Sequence, residues 1–217
     1  MSKARVRYQT VEFGITDIHV RTLRDRYQHS DDDQKALGKG ISSAMWPLFG
    51  VIWASGEILA HLMVDYDCKG LRILEVGCGI GLASIVLNHR AMDITATDYH
   101  PEAGNFLRKN AELNEDKEIP FFCEGWDDIE SKLGKFDLII GSDLLYERHH
   151  IELLSGFIDG HSEKSCDVIL VDPGRGNHAS FSKKMVSLGY SHSQEKPEHV
   201  DYLKEPFGGV ILRYHRA

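Results

Sequence analysis

The sequence predicts an α/β fold, a doubly wound and mainly parallel sheet with helices on both faces, behind an N-terminal β-hairpin and helical extension. Two observations carry this prediction. From residue 71 onward, short apolar runs rich in β-branched residues alternate with longer amphipathic segments, the order that builds parallel strands joined by crossover helices. The first run, Leu71–Val76, empties into Gly77-Cys-Gly79-Ile-Gly81. Glycines there let backbone turn sharply and approach a ligand at the carboxyl edge of such a sheet.

The elements follow in order. Val11–Val20 alternates and turns near Gly14, which reads as a strand pair. Arg21–Lys39 is charged, and its Asp31-Asp32-Asp33 reads as a solvated turn or helix start. Ser42–Met63 combines Trp46-Pro47 and Gly50 with a helical periodicity through Ile58, Leu59 and Leu62, an irregular approach to a helix. After the glycine turn comes a helix, then a strand Ile94–Asp98. Pro101–Asn114 is helical, with proline suited to a first turn. Ile119–Cys123 reads as a short strand and Phe136–Gly141 as a buried one. His149–His161 is a helix, Asp167–Pro173 a buried strand, Asn177–Leu188 a helix and Gly209–Tyr214 the closing strand.

Composition removes several classes of function. The chain has 217 residues and a net charge of −8, which suits one domain with a full core and gives no general attraction to phosphate backbones. Nucleic acid is therefore disfavoured as a substrate. Cys68, Cys78, Cys123 and Cys166 are widely spaced and form no CxxC pair, so a zinc knuckle or disulfide framework is not expected and a reduced cytoplasm is the simplest setting. No membrane span or signal peptide is visible. Of the twelve histidines only His149-His150 are adjacent, without an HxxxH or HxH pairing. No metal site is expected.

The glycine turn reads GxGxG with Glu75 ahead of it, and Asp98 stands at the tip of the next strand. A carboxylate at position 75 would repel a pyrophosphate and favour a cationic ligand, while Asp98 is placed to accept hydrogen bonds from a ribose diol. S-Adenosyl-L-methionine meets both demands, with a sulfonium, an ammonium, a ribose diol and no phosphate.

The stretch resembles motif I and the following acidic motif of class I methyltransferases, which implies a seven-stranded Rossmann-like sheet over residues 41–217 and leaves 1–40 as the extension. Trp53 before motif I, Trp126-Asp127 after the third strand and Asp143-Leu-Leu-Tyr146 after the fourth extend the likeness. Together they resemble the family-16 group of protein lysine methyltransferases, from about Ile41 to Leu154. That resemblance implies that Trp53, Gly77, Gly79, Gly81, Asp98, Trp126 and Ser142 bind the cofactor beside Glu75, and that Asp143 and Tyr146 serve the acceptor. Each has a structural alternative. Trp53 and Trp126 would otherwise be core, Trp46 is expected in the core or the cleft wall, and Asp143 and Tyr146 would cap and pack the next helix. Asp172-Pro-Gly-Arg175 after the fifth strand of the sheet is similar to a turn in branches of this family. Arg175 at its tip either orients a substrate carboxylate or binds a neighbouring acid.

Ser142-Asp-Leu-Leu-Tyr146 stands where amino-methylating nucleic-acid enzymes carry Asn-Pro-Pro-aromatic. The resemblance therefore implies an N-methyltransferase acting on a protein lysine. A small-molecule or protein-histidine N-methyltransferase and a non-catalytic S-adenosylmethionine-binding protein remain as alternatives.

Overall fold

A computed structural model describes residues 4–14, 16–28, 30, 34–128 and 131–217. Strands β1 (Val6–Phe13) and β2 (Thr16–Leu23) form the antiparallel hairpin, followed by the short α1 (Lys35–Gly38), a 3-10 turn (Trp46–Gly50) and α2 (Ala54–Leu62). Then come β3 (Arg72–Val76), α3 (Leu82–His89), β4 (Asp93–Thr97), α4 (Ala103–Leu113) and β5 (Phe121–Phe122). The chain closes with β6 (Phe136–Ser142), α5 (His150–His161), β7 (Ser162–Asp172), α6 (His178–Ser187), β8 (Ser191–Glu195) and β9 (Val210–Arg216).

The second sheet has seven strands in the order β5-β4-β3-β6-β7-β9-β8. Its first five strands are parallel, and β9 runs antiparallel to both of its neighbours, β7 and β8. Period-two alternation explains why both faces are covered. Ile73, Leu138, Ile169 and Ile211 face a core built with α2, α3 and the hairpin. Their neighbours Leu74, Ile139, Leu170 and Leu212 face a core built with α5 and α6. Ile18 and Val20 of β2 are fully buried in the first core, each stabilising the fold by roughly 1.5–3 kcal/mol. The hairpin is thus packed against the sheet layer.

Several expected boundaries move. The hairpin runs from Val6 to Leu23, well beyond Val11–Val20, because its outer residues pair in register even where polar side chains face solvent. The short strand shrinks to Phe121–Phe122. β7 begins at Ser162, directly after α5. β8, Ser191–Glu195, was not expected; among the described residues it pairs with β9 alone and shows no apolar alternation. The expected turn at Asp31–Asp33 lies outside the described residues.

Candidate active site

Strand order reverses beside β3, which has β4 on one side and β6 on the other. Open α/β sheets form their ligand crevice at the carboxyl ends of the strands around such a switch point. Here it is a cavity of about 490 Å3, lined by Met45, Leu48, Trp53, Trp126, Tyr146 and His150. Glu75, Gly77, Gly79, Asp98, Ser142 and Asp143 also line it, so all but one of the expected site residues meet there. Gly81 does not line the cavity; it starts α3.

The glycine loop is held by its own chain. Gly77, Gly79 and Gly81 take φ of 62°, 57° and 73°, a region that penalises any Cβ. A Cβ on Gly79 would lie 2.8 Å from the Phe49 carbonyl oxygen. The close approach that demands glycine is therefore to the 3-10 turn, whereas the sequence pointed to a ligand. The Gly79 N–H donates to Asp98 Oδ2 at 2.7 Å, and the His100 N–H donates to Oδ1 at 2.7 Å. Buried Asn110 donates to the Ile80 carbonyl at 3.2 Å and accepts from the Arg21 N–H at 2.7 Å, tying loop, α4 and hairpin together. Burial raises the Asp98 pKa, and the His100 and Gly79 N–H groups pull it back. Each carboxylate oxygen carries two lone pairs, so Asp98 keeps acceptor capacity beyond these two bonds.

Glu75 has a role the sequence did not show. Gly81, the residue that starts α3, offers no side chain for the helix's free N–H groups. Glu75 supplies the missing acceptor from β3: Oε2 takes the Ser84 N–H at 2.8 Å and the Ser84 hydroxyl. Burial pushes its pKa up to about 7 against those two bonds, with Asp98 adding to the rise. A carboxyl that holds its proton more tightly folded than unfolded stabilises the fold at low pH, and the contribution is lost as pH rises through the folded value. The ligand-free protein should therefore lose up to about 3 kcal/mol of stability between about pH 5 and pH 8 from this group. Glu75→Gln, which keeps an acceptor for Ser84, should flatten that slope in denaturant unfolding. Parallel slopes for the two proteins would contradict it.

The loops after β6 and β7 meet across the cavity. Asp143 sits at φ 53°, a conformation that is tolerated best by Gly, Asn and Asp. Its Oδ1 accepts from Arg175 Nε at 2.9 Å and its Oδ2 from Arg175 Nη2 at 2.7 Å. Of the two expected roles for Arg175, the structure shows the bond to a neighbouring acid. Asp172 Oδ1 accepts the Gly174 N–H at 2.8 Å, a turn that returns Arg175 toward β6. Asn177 donates to the Leu145 carbonyl at 2.8 Å and joins the same two loops.

Tyr146 is 46% exposed, and the residue capping α5 is His149, without a side-chain cap bond. Neither Asp143 nor Tyr146 caps that helix. Partial burial, then Asp98, Glu147 and Asp143, raises the Tyr146 phenol pKa, so it stays neutral. Trp53 and Trp126 are half-buried in the cavity wall; Trp53 Nε1 donates to the Leu48 carbonyl at 2.8 Å. Trp46 is 2% exposed in a cluster with Phe49 and Phe106, so of its two expected places, core and cleft wall, it takes the core.

His150 was not expected here as a cavity residue. It is buried, lines the cavity and stands edge-on to Trp126 and Tyr146. Glu147, His149 and His150 also bring one potential ligand atom each within 4.8 Å of one another. Residue spacing did not show this, because Glu147 reaches back beside the histidines, with His149 Nδ1 3.2 Å from its carboxylate.

A family profile described as lysine methyltransferase matches residues 35–186. The electron transfer flavoprotein beta subunit lysine methyltransferase of Xenopus laevis is 32% identical over 141 residues, 62% of this chain and 55% of that protein. The calmodulin-lysine N-methyltransferase of Arabidopsis thaliana is 25% identical over 150 residues, 63% of this chain and 49% of that protein. The chain thus spans about half the length of these curated relatives. Among solved structures, a 16S rRNA methyltransferase of T. thermophilus in complex with AdoMet and guanosine matches with a TM-score of 0.69 at 9% identity, over 99% of this chain and 51% of that one. At that identity the match speaks for the fold alone, a seven-stranded methyltransferase sheet. With the cavity at its switch point and the profile covering most of its length, the chain belongs to the lysine methyltransferase family.

Proposed function

We propose that the protein is an S-adenosyl-L-methionine-dependent N-methyltransferase whose acceptor is a lysine side chain of another protein. The observation that carries this reading is one cavity holding both halves of the chemistry. Asp98 and the glycine loop line it beside Trp53, and Asp143 and Tyr146 line it at the end of β6.

The residues fit the cofactor. Asp98 is oriented by two backbone N–H groups and retains lone pairs for the ribose diol. Buried Glu75 carries a carboxylate whose second oxygen faces no protein donor among the described residues, and a bound cation would favour its charged form. Trp53, Trp126 and Ser142 provide wall around the adenosyl and amino-acid parts. When bound, S-adenosylmethionine supplies a methyl group already activated by a sulfonium leaving group.

The protein's own contribution is then mainly positioning. A lysine amine of ordinary pKa about 10.4 costs on the order of 4–5 kcal/mol to deprotonate at pH 7. The apolar and aromatic wall of Met45, Leu48, Trp126 and Tyr146 desolvates the amine and lowers that cost. Asp143 would oppose it as a free carboxylate, but both its oxygens are held by Arg175. The pair presents orientation without a strong net charge. The cytoplasmic setting belongs to the same reading, with all four cysteines free. Among the described residues, no helix is long and apolar enough to cross a membrane.

Incubation with methyl-radiolabelled S-adenosylmethionine and a lysate lacking the protein tests the reading, with electron transfer flavoprotein beta subunit and calmodulin as defined acceptors. Label should enter the protein fraction. Label confined to small molecules, or no transfer at all, would overturn it.

A further inference from the structure

We infer that His150 receives the acceptor amine, its Nε2 lone pair accepting a hydrogen bond from the lysine Nζ and so aiming the nitrogen's own lone pair at the methyl donor. This deepens the lysine-methylation reading and rests on it.

The tautomer is decided by a carbonyl. His150 Nδ1 lies 2.9 Å from the Leu144 carbonyl oxygen, and since a carbonyl only accepts, Nδ1 carries the hydrogen. Nε2 is then a bare acceptor whenever the ring is neutral. Burial, as the main cause, lowers the ring's pKa below its ordinary value. The first turn of α5 disfavours an added positive charge as well. No hydrogen bond reaches Nε2 from the described residues, whereas the neighbouring acceptor Asp143 has both oxygens on Arg175.

Orientation is equally constrained. The ring is 8% exposed and packs edge-on to Trp126 at 5.0 Å and 87° and to Tyr146 at 4.5 Å and 84°. All three side chains line the cavity that Asp98 and Asp143 line. With Nδ1 committed to the backbone, Nε2 is the nitrogen left for a ligand, on a ring set against those of Trp126 and Tyr146. A donor N–H on a desolvated amine matches it. A space-filling histidine would not need a particular tautomer.

The charged and titratable groups against the ring are Glu147 and His149 on the approach to α5, and Tyr146.

Long-range proton–nitrogen NMR of the 15N-labelled protein, saturated with S-adenosylhomocysteine and treated with a chelator, reads the tautomer directly. At neutral pH His150 should be protonated on Nδ1 and bare on Nε2, and titration with n-butylamine should shift the Nε2 resonance. His150→Phe keeps the ring contacts and should hold S-adenosylhomocysteine affinity within a few-fold. It should also lower kcat/KM for the labelled lysate acceptor about tenfold, equivalent to about 1.4 kcal/mol. An Nε2-protonated ring, an Nε2 signal blind to the amine, or a folded His150→Phe protein with wild-type transfer would each overturn the proposal. Wild-type protein that moves no methyl group to lysine would instead overturn the reading beneath it.

Discussion

Replacing Asp143 should lower methyl transfer about 100-fold while leaving S-adenosylhomocysteine affinity within a few-fold, a loss of roughly 2.7 kcal/mol of transition-state stabilisation. The size follows from what the carboxylate holds. Both oxygens bind Arg175, so Asp143→Ala leaves a guanidinium unpaired on the cavity wall, where it repels an incoming ammonium and loosens the loop after β7. Alanine also strains the backbone at φ 53°, by about 1–2 kcal/mol. Asp143→Asn separates the effects, since asparagine tolerates that conformation but cannot form the ion pair. Tyr146→Phe, which keeps the ring face and removes the hydroxyl, should cost about tenfold, equivalent to roughly 1.4 kcal/mol. Activity, ligand affinity and melting temperature measured on the same preparations decide the matter. Full activity in folded variants would remove both residues from the acceptor site.

Loss of Asp98 should act on the other half of the cavity. Asp98→Ala should weaken S-adenosylhomocysteine binding at least tenfold, because hydrogen bonds to a charged group contribute roughly 1.5–3 kcal/mol each. Two of its bonds go to the Gly79 and His100 N–H groups, so the glycine loop loosens and the melting temperature falls as well. Gly79→Val should be more severe, placing a branched Cβ against the Phe49 carbonyl oxygen at a left-handed φ. Calorimetry should find no measurable binding in that variant. Retained affinity in a folded Gly79→Val protein would show that the loop does not shape the cofactor site.

The parts of the fold legible in the sequence are those that bury apolar residues on a strict period. β3, β6, β7 and β9 carry Ile73-Leu74, Leu138-Ile139, Ile169-Leu170 and Ile211-Leu212, pairs that fill both cores at once. β8 was invisible because Ser191-His-Ser-Gln-Glu195 is a polar, mostly exposed edge with no apolar period, paired to β9 through its backbone and through contacts such as Arg213 with Glu195. The site shows the same division. Asp98, Trp53, Trp126, Asp143 and Tyr146 belong to local patterns of residue type, and the structure gathers them in one cavity. Relations between distant loops left no such trace. Glu75 capping α3, Arg175 closing on Asp143 and the Leu144 carbonyl choosing the His150 tautomer each join residues brought together only by folding.

The central claim is that this cavity methylates lysine, and mass spectrometric mapping of a labelled protein acceptor tests it most directly. The account predicts methyl groups on lysine Nζ, incorporated by the wild-type protein and lost with Asp98→Ala. Methylation of histidine or of a small molecule, or lysine methylation that persists undiminished in the Asp98→Ala protein, would contradict it.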